Sequence, residues 1–305
     1  MTLQHFIRRH PASDRNGLST IIVAAALLFL SHTALSAQDI IDGFTRGQRN
    51  SDLAINFTAE SYDAMWMGAT EVPLPPPLGT ISTTSLNTFL AHGITNDIDL
   101  VAQVSHVSTA ADGDGTGPPD QSGFQDGQLH IKWRPWRQPI GESMSFDLIT
   151  SVGVSGPLTD YVSDAPVAIG HSSTNVELRA IGMLRMESGP FLAATIGYSR
   201  RDGINPDVAI TGVRLGYAHE KVYAEGWLFN QNGQSGTDIG EGTFPSNRMN
   251  YMRAGLKASF APVRWLAINA GGWTTLDGRN IGKATGFGGG LTLRLEEMHR
   301  ALIGN

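Results

Sequence analysis

Hydrophobic and polar positions alternate through most of the chain after its first 50 residues. In Ile98–Ser105, IDLVAQVS, every second residue from Ile98 is apolar, whereas Asp99 and Gln103 lie among the positions between them. Successive side chains of a β-strand point to opposite faces, so this pattern predicts a strand with one apolar and one more polar face. The apolar face must lie against a protein core or against lipid.

Twelve segments with this period follow one another between residues 53 and 295. They contain nine to thirteen residues each, whereas strands of soluble proteins most often have about five or six and a tilted strand that crosses a bilayer needs about nine to eleven. The length therefore favours membrane strands. The predicted strands are Leu53–Tyr62, Ser82–Gly93, Asp97–Thr109, Phe124–Arg134, Met144–Ser155, Asn175–Met186, Phe191–Arg200, Val208–Ala218, Val222–Asn230, Asn250–Phe260, Trp265–Leu276 and Thr285–Leu295.

The connections between these segments alternate in length. Short ones follow the second and eighth segments (ITND and HEK), and long ones follow the third and fifth (ADGDGTGPPDQSG and GPLTDYVSDAPVAIGHSST); an exception is PWRQPIGES, a longer connection after the fourth. Outer-membrane barrels join an even number of antiparallel strands by short periplasmic turns and longer external loops. The pattern thus predicts an all-β fold, a transmembrane antiparallel up-and-down β-barrel of about 12 strands. A soluble twelve-stranded β-sandwich is the alternative.

The faces opposite the apolar ones carry charged residues of both signs. A dry protein core would need a close partner for each charge, whereas in a barrel these side chains line the lumen and the apolar face meets lipid. Mixed signs predict either a transverse field across a constriction or ion pairs that close the bore. The expected pore-lining residues are Asp147, Glu177, Arg179, Arg185, Arg214, Glu225, Arg253, Lys257 and Arg294.

Aromatic residues in the ninth segment leave two alternatives. Tyr223, Trp227 and Phe229 share a face with Glu225. If that face is the lumen, they form an aromatic lining; if a bulge shifts the alternation, they face lipid.

The N-terminus has the layout of a secretory signal peptide. Arg8, Arg9 and Arg15 precede a mostly apolar stretch, Leu18–Leu30, and TALSAQ offers a cleavage site after Ala37. We therefore expect residues 1–37 to be removed and residues 38–305 to form the barrel, in the outer membrane of a Gram-negative bacterium. An uncleaved anchor is the alternative, although the apolar stretch is shorter than the ~20 residues that span a bilayer.

Charge and side-chain chemistry narrow the function classes. The net charge is −6, and loss of three Arg and one Asp with the signal peptide makes it −8, which argues against a nucleic-acid partner. The histidines are dispersed without metal-ligand spacing. We expect no metal, cofactor or catalytic residue, and so no enzyme. A barrel lipid hydrolase with a Ser–His pair, for example at His130, is the less favoured alternative.

Three stretches, HGITNDIDL (His92–Leu100), GQLHIKWR (Gly127–Arg134) and GVSGPLTDY (Gly153–Tyr161), resemble segments of a bacterial envelope family. The family is described as transporters or as proteins of the meta-pathway of phenol degradation. The resemblance implies an outer-membrane barrel and uptake of small aromatic or hydrophobic molecules. Unlike the family pattern, the chain continues past its last predicted strand as EEMHRALIGN instead of ending on an aromatic residue.

The sequence as a whole favours an outer-membrane channel or transporter for passive uptake of small solutes. Its expected partners are outer-membrane lipid, a small-molecule solute and the barrel-assembly machinery. The long connections Glu71–Gly79 and Gly156–Thr174 are candidates for a lid or plug. The alternative is a structural or surface-interaction barrel with a closed lumen.

Overall fold

The computed structural model describes residues 41–165, 167–242 and 245–303. The predicted signal peptide therefore lies outside the described residues. The strands are β1 (Ser51–Tyr62), β2 (Ala64–Met67), β3 (Thr70–Pro73), β4 (Ile81–Gly93), β5 (Ile98–Ala111), β6 (Gln121–Phe124), β7 (Asp126–Ile140), β8 (Met144–Pro157), β9 (Asn175–Met186), β10 (Pro190–Arg201), β11 (Val208–His219), β12 (Val222–Gly233), β13 (Asn250–Val263), β14 (Leu266–Arg279), β15 (Ile281–Gly282) and β16 (Thr285–Arg294).

Twelve long strands form a closed antiparallel barrel, as the alternation of residues predicts. Each pairs with its neighbour along the chain, and β16 returns to pair with β1, from Asp52 opposite Arg294 to Ser61 opposite Thr285. The short strands lie outside this ring: β6 pairs with the end of β5, and β15, β2 and β3 form a small separate sheet. The ends of the twelve predicted strands are correct to within a few residues, with one exception.

That exception is the connection PWRQPIGES. The structure shows it to be strand: β7 continues to Ile140 and pairs with β8 as far as Met144, which leaves a three-residue turn at 141–143. The pairing of β7 with β8 shifts register between Trp133 and Trp136, where Pro135 lies. Gly141 has the positive φ (64°) that the tight turn needs. All the connections at this end are therefore short.

The two faces of the barrel wall differ as the strand pattern requires. In β9, Val176 and Leu178 are about half exposed, at 49% and 53%, while Glu177 and Arg179 between them are 8% exposed. The outer face of the wall is thus apolar and unpartnered by protein, which fits lipid, and polar side chains point inwards. We call the two ends of the barrel the short-turn end, where β1 begins, and the long-loop end, where β1 finishes.

At the short-turn end, the segment before β1 lies inside the barrel. Ile41 is fully buried against the inward side chains Val101, Ile149 and Met183. A Cβ on Gly43 would overlap the Met183 sulfur unless that flexible side chain moved, so glycine lets the segment approach Met183 closely. We call residues 41–50 the N-terminal segment; it narrows the lumen from this end.

At the long-loop end, connections fold over the barrel mouth. Leu74 and Val167 pack with Ile81 of β4 in a small apolar cluster. Both predicted lid regions, 71–79 and 156–174, thus contribute side chains that point into the mouth rather than away from it.

A helix follows the last barrel strand, one residue before the predicted end of that strand. Leu295 does not extend the last strand; instead it begins a helix, α1 (Leu295–Ile303), which follows β16 without a loop. Two acidic residues in its first turn and Arg300 in its last turn favour the helix through its dipole. Among the described residues, helices are all too short or too polar to cross a membrane.

Candidate channel lumen

A continuous cavity of about 2150 Å³ occupies the barrel. Leu78 and Ile169 line it at the long-loop end, and Arg264 and Glu297 line it at the short-turn end. The cavity therefore reaches both ends of the barrel, past the N-terminal segment and beneath the inward-folded loops.

All nine charged residues that the sequence predicts to line a pore point inwards. Five of them line this cavity: Glu177, Arg179, Arg253, Lys257 and Arg294. The other four lie deeper among inward side chains: Asp147, Arg185, Arg214 and Glu225. That these residues line a conducting pore stays a prediction.

Much of this charge is paired across neighbouring strands or along one strand. Arg179 donates to Glu177 at 2.8 Å, and the buried Asp147 lies 2.7 Å from Arg185. Arg253 is held more loosely, with its Nη1 3.7 Å from Glu60 Oε2. Arg253 Nε also donates to the Thr275 hydroxyl at 3.1 Å. Arg253 therefore has a weaker ion pair than Arg179 and Arg185 have.

The structure decides between the alternatives for the ninth predicted strand, here β12. Tyr223, Trp227 and Phe229 point inwards, and no bulge shifts the pairing of β12 with β11 or β13. Phe229 lies under the Arg214 guanidinium at 5.1 Å, and Tyr223 lies under the Lys257 ammonium at 5.9 Å. Such cation–π contacts stabilise a charge that burial would otherwise penalise. Trp227 is 4% exposed and packs edge-on to Phe229.

The wall formed by β1, β4 and β5 carries uncharged polar side chains, which the search for charged residues missed. Ser105 Oγ donates to Asn87 Oδ1 at 2.6 Å, and Asn87 Nδ2 donates to Ser85 Oγ at 3.5 Å. The hydroxyls of Ser85 and Thr58 are also in contact. The alternation of Thr, Ser and Asn from Thr83 to Asn87 was the signal that could have revealed this wall.

Buried ion pairs hold the N-terminal segment, and sequence reasoning missed them too. Lys132 Nζ donates to Asp42 Oδ1 at 2.9 Å and to the Phe44 carbonyl at 2.6 Å, and it lies 3.0 Å from Asp99 Oδ2. Arg46 pairs with Asp42 and, at 2.7 Å, with Asp52. Lys132 and Asp99 are 1% and 0% exposed, so each depends on the other and on the segment for charge compensation.

A second set of polar contacts holds the loop over the long-loop end. The Tyr161 hydroxyl donates to Asp126 and accepts a hydrogen bond from the Ser172 backbone N–H at 2.8 Å. His171, in the same loop, lines the cavity. Burial, reinforced by the nearby Arg201, lowers the pKa of His171 to about 4, so this imidazole is neutral at pH 7.

Comparisons with known proteins agree with the barrel. The structure is similar to the COG4313 outer membrane channel from Pseudomonas putida F1, with a TM-score of 0.69 and 12% identity over 84% of this chain and 100% of that chain. It shares less with the KdgM porin (TM-score 0.43, 10% identity, 79% and 98% covered) and with outer membrane phospholipase A from Escherichia coli (TM-score 0.39, 10% identity, 83% and 98% covered). No family model and no curated protein matches the chain.

The likeness to the Pseudomonas channel shows the fold: a closed, twelve-stranded antiparallel barrel of the outer-membrane type. The family suggested by the sequence motifs is not established by these matches.

Proposed function

We propose that this protein is a channel for passive entry of small solutes across the outer membrane of a Gram-negative bacterium. The short-turn end would face the periplasm and the long-loop end the outside. The observation that carries the proposal is the continuous cavity, lined by charged and polar side chains, that reaches both ends of the barrel.

Selection in such a channel depends on width, charge and side-chain contacts, and no bond is made or broken. Arg179, Arg253 and Lys257 lie on the cavity wall with Glu60 and Glu177 among them. A solute would pass between this charged and aromatic wall and the opposite wall of hydroxyl and amide groups. The N-terminal segment and the inward loops lie at the two ends of this path.

Small aromatic or hydrophobic molecules are the proposed solutes. Tyr223 and Phe229 on the cavity lining offer ring contacts, and the three sequence stretches noted above resemble a family whose context suggests aromatic compounds. Competition between such solutes and a permeating ion would test this: benzoate or phenol added to one side should reduce the ionic current, and glycerol at the same concentration should not.

The channel itself is tested in planar bilayers. Wild-type protein should conduct ions, and replacing both Arg179 and Arg253 with Ala should shift the reversal potential in a KCl gradient towards cation preference, because two lumen cations are lost. Arg200→Ala is the matched control, since Arg200 lies on β10 but faces away from the lumen. Absence of current from the wild type, or an unchanged reversal potential in the double variant, would contradict the proposal.

A structural or surface-interaction barrel remains the second candidate. The N-terminal segment, the folded loops and the paired charges of the lumen all favour a closed bore. The same bilayer experiment separates the two functions, because a closed barrel inserts without conducting.

An enzyme is not proposed. The barrel does bring His130 Nδ1 to 3.3 Å from Ser151 Oγ. His130 is 1% exposed and points inwards, so no lipid ester on the outer face could reach this pair.

A further inference from the structure

The helix α1 at the end of the chain has two faces of different chemistry. Positions three and four residues apart lie on one side of a helix, which groups Leu295, Met298 and Leu302 on one face. Glu296, Glu297 and Arg300 lie on the other. None of the nine helix residues is buried by the described part of the protein.

Contacts with the barrel fix which way the helix faces. Glu296 accepts hydrogen bonds from the Ser51 backbone N–H at 2.6 Å and from the Ser51 hydroxyl at 3.3 Å. Glu297 lines the lumen cavity and pairs with Arg300 at 2.9 Å. The polar face is therefore turned towards the barrel rim and the lumen mouth.

The apolar face continues the lipid-facing side of β16. In that strand Phe287 and Leu291 point outwards and are 40% and 47% exposed, whereas Thr292 and Arg294 line the cavity. The helix follows Arg294 directly, so Leu295 takes the next outward position. Leu302, on the same helix face, is 77% exposed.

We propose that α1 is a membrane-surface helix: Leu295, Met298 and Leu302 lie in the headgroup and upper acyl region of the lipid leaflet at the short-turn end. Amphipathic helices bind this region by burying an apolar face about 5–10 Å deep. We assign lipid to the apolar face of α1 because that face begins at Leu295, directly after the outward-facing apolar side chains of β16. The inference rests on the barrel being in a membrane, as the proposed function requires.

Such a helix anchors the end of the last strand. β16 closes the barrel against β1, and this helix follows β16 without a loop. The hydrogen bonds of Glu296 to Ser51 would hold the closing strands together at the rim, while the apolar face holds the helix to the lipid surface.

The chain contains no cysteine, so single cysteine substitutions can be labelled cleanly with the fluorophore NBD. Full-length Leu302→Cys, Arg300→Cys and Leu256→Cys would be placed in vesicles of phosphatidylethanolamine and phosphatidylglycerol. Arg300 is the control from the opposite helix face, and Leu256, 70% exposed on the outward face of β13, reports on the barrel itself. Quenching by doxyl-labelled lipid and by aqueous iodide would be measured for each.

We expect the label at 302 to be quenched by doxyl lipid about twofold or more above the label at 300, and to be protected from iodide. Equal iodide access at 302 and 300, with strong lipid quenching at 256, would overturn the helix proposal alone. Protection of 302 from both quenchers would also overturn it, because protein would then cover the face. Failure of lipid quenching at 256 would instead contradict membrane insertion, and with it the proposed function.

Discussion

The two ends of the lumen are closed by different chemistry. At the short-turn end, the N-terminal segment is held by Lys132, which is buried between Asp42 and Asp99. At the long-loop end, the covering loops pack in an apolar cluster around Val167 and Ile81, with the hydrogen bonds of Tyr161 beside it. One end of the cavity is thus closed around a buried cation, and the other is closed by apolar packing together with hydrogen bonds.

The two closures should respond differently when a side chain that holds them is replaced. A buried ion pair adds little over an apolar contact while it is intact, but removing one partner leaves an uncompensated buried charge. Apolar packing loses stability in proportion to the area and volume removed. We therefore expect the short-turn end to open abruptly when one charge is lost, and the long-loop end to loosen by degrees.

The largest effect should come from Lys132→Met. Asp99 and Asp42 would lose their shared cation, and breaking a buried pair in this way costs about 3–5 kcal/mol. The N-terminal segment should leave the lumen, and single-channel conductance should rise severalfold.

Arg134→Ala is the matched control on the same strand, because the pair that it breaks with Asp97 is far more exposed. Heat-dependent gel migration would check that both variants still form barrels. An unchanged conductance in a folded Lys132→Met barrel would show that the segment does not depend on this charge.

A smaller effect, at the other end, should follow acidification. His171 has its pKa lowered from 6.5 to about 4 when the loop is docked. Docking is therefore fully stable above pH 6.5 and is progressively lost as the pH falls towards 4, since the undocked imidazole binds the proton more readily. The shift corresponds to a loss of order 3 kcal/mol, and conductance should increase over this range.

Arg201, Asp126 and Tyr161 lie around His171 and are present in both the wild type and a His171→Gln variant. The difference in conductance between the two proteins from pH 7 to pH 4.5 therefore isolates the histidine. Parallel pH profiles would assign the change to another group.

The smallest effect should come from Gly43→Ala. The added Cβ would overlap the Met183 sulfur; because a methionine side chain is flexible, the cost should be at the lower end of the ~1–3 kcal/mol typical of overpacking. We expect a modest rise in conductance that Met183→Ala, in the double variant, reverses by making room. If the double variant conducts more than Gly43→Ala alone, loss of apolar packing outweighs the relief of the clash.

Most of the barrel could be predicted from residue alternation. In a strand between lipid and a polar lumen, successive side chains face opposite sides, so apolar and polar residues must alternate. That is why Glu177, Arg253 and the other lumen charges were placed on the inward face. The turn at 141–143 was missed because Pro135 and Pro139 resemble turn residues, whereas in β7 Pro135 lies at a register shift and Pro139 pairs with Ser145. The helix that begins at Leu295 was missed because Leu295 also fits the next outward position of the last strand.

The sequence by itself determined the strand count, the inward faces and the long and short ends, since these depend on local period and loop length. Only the tertiary structure decided what closes the lumen. The contact of Lys132 with Asp42 joins residues 90 positions apart, and the fit of Gly43 against Met183 depends on how the segment lies inside the closed barrel. No local pattern encodes such contacts, because they exist only once β16 has met β1 and a bounded interior has formed for the segment to enter.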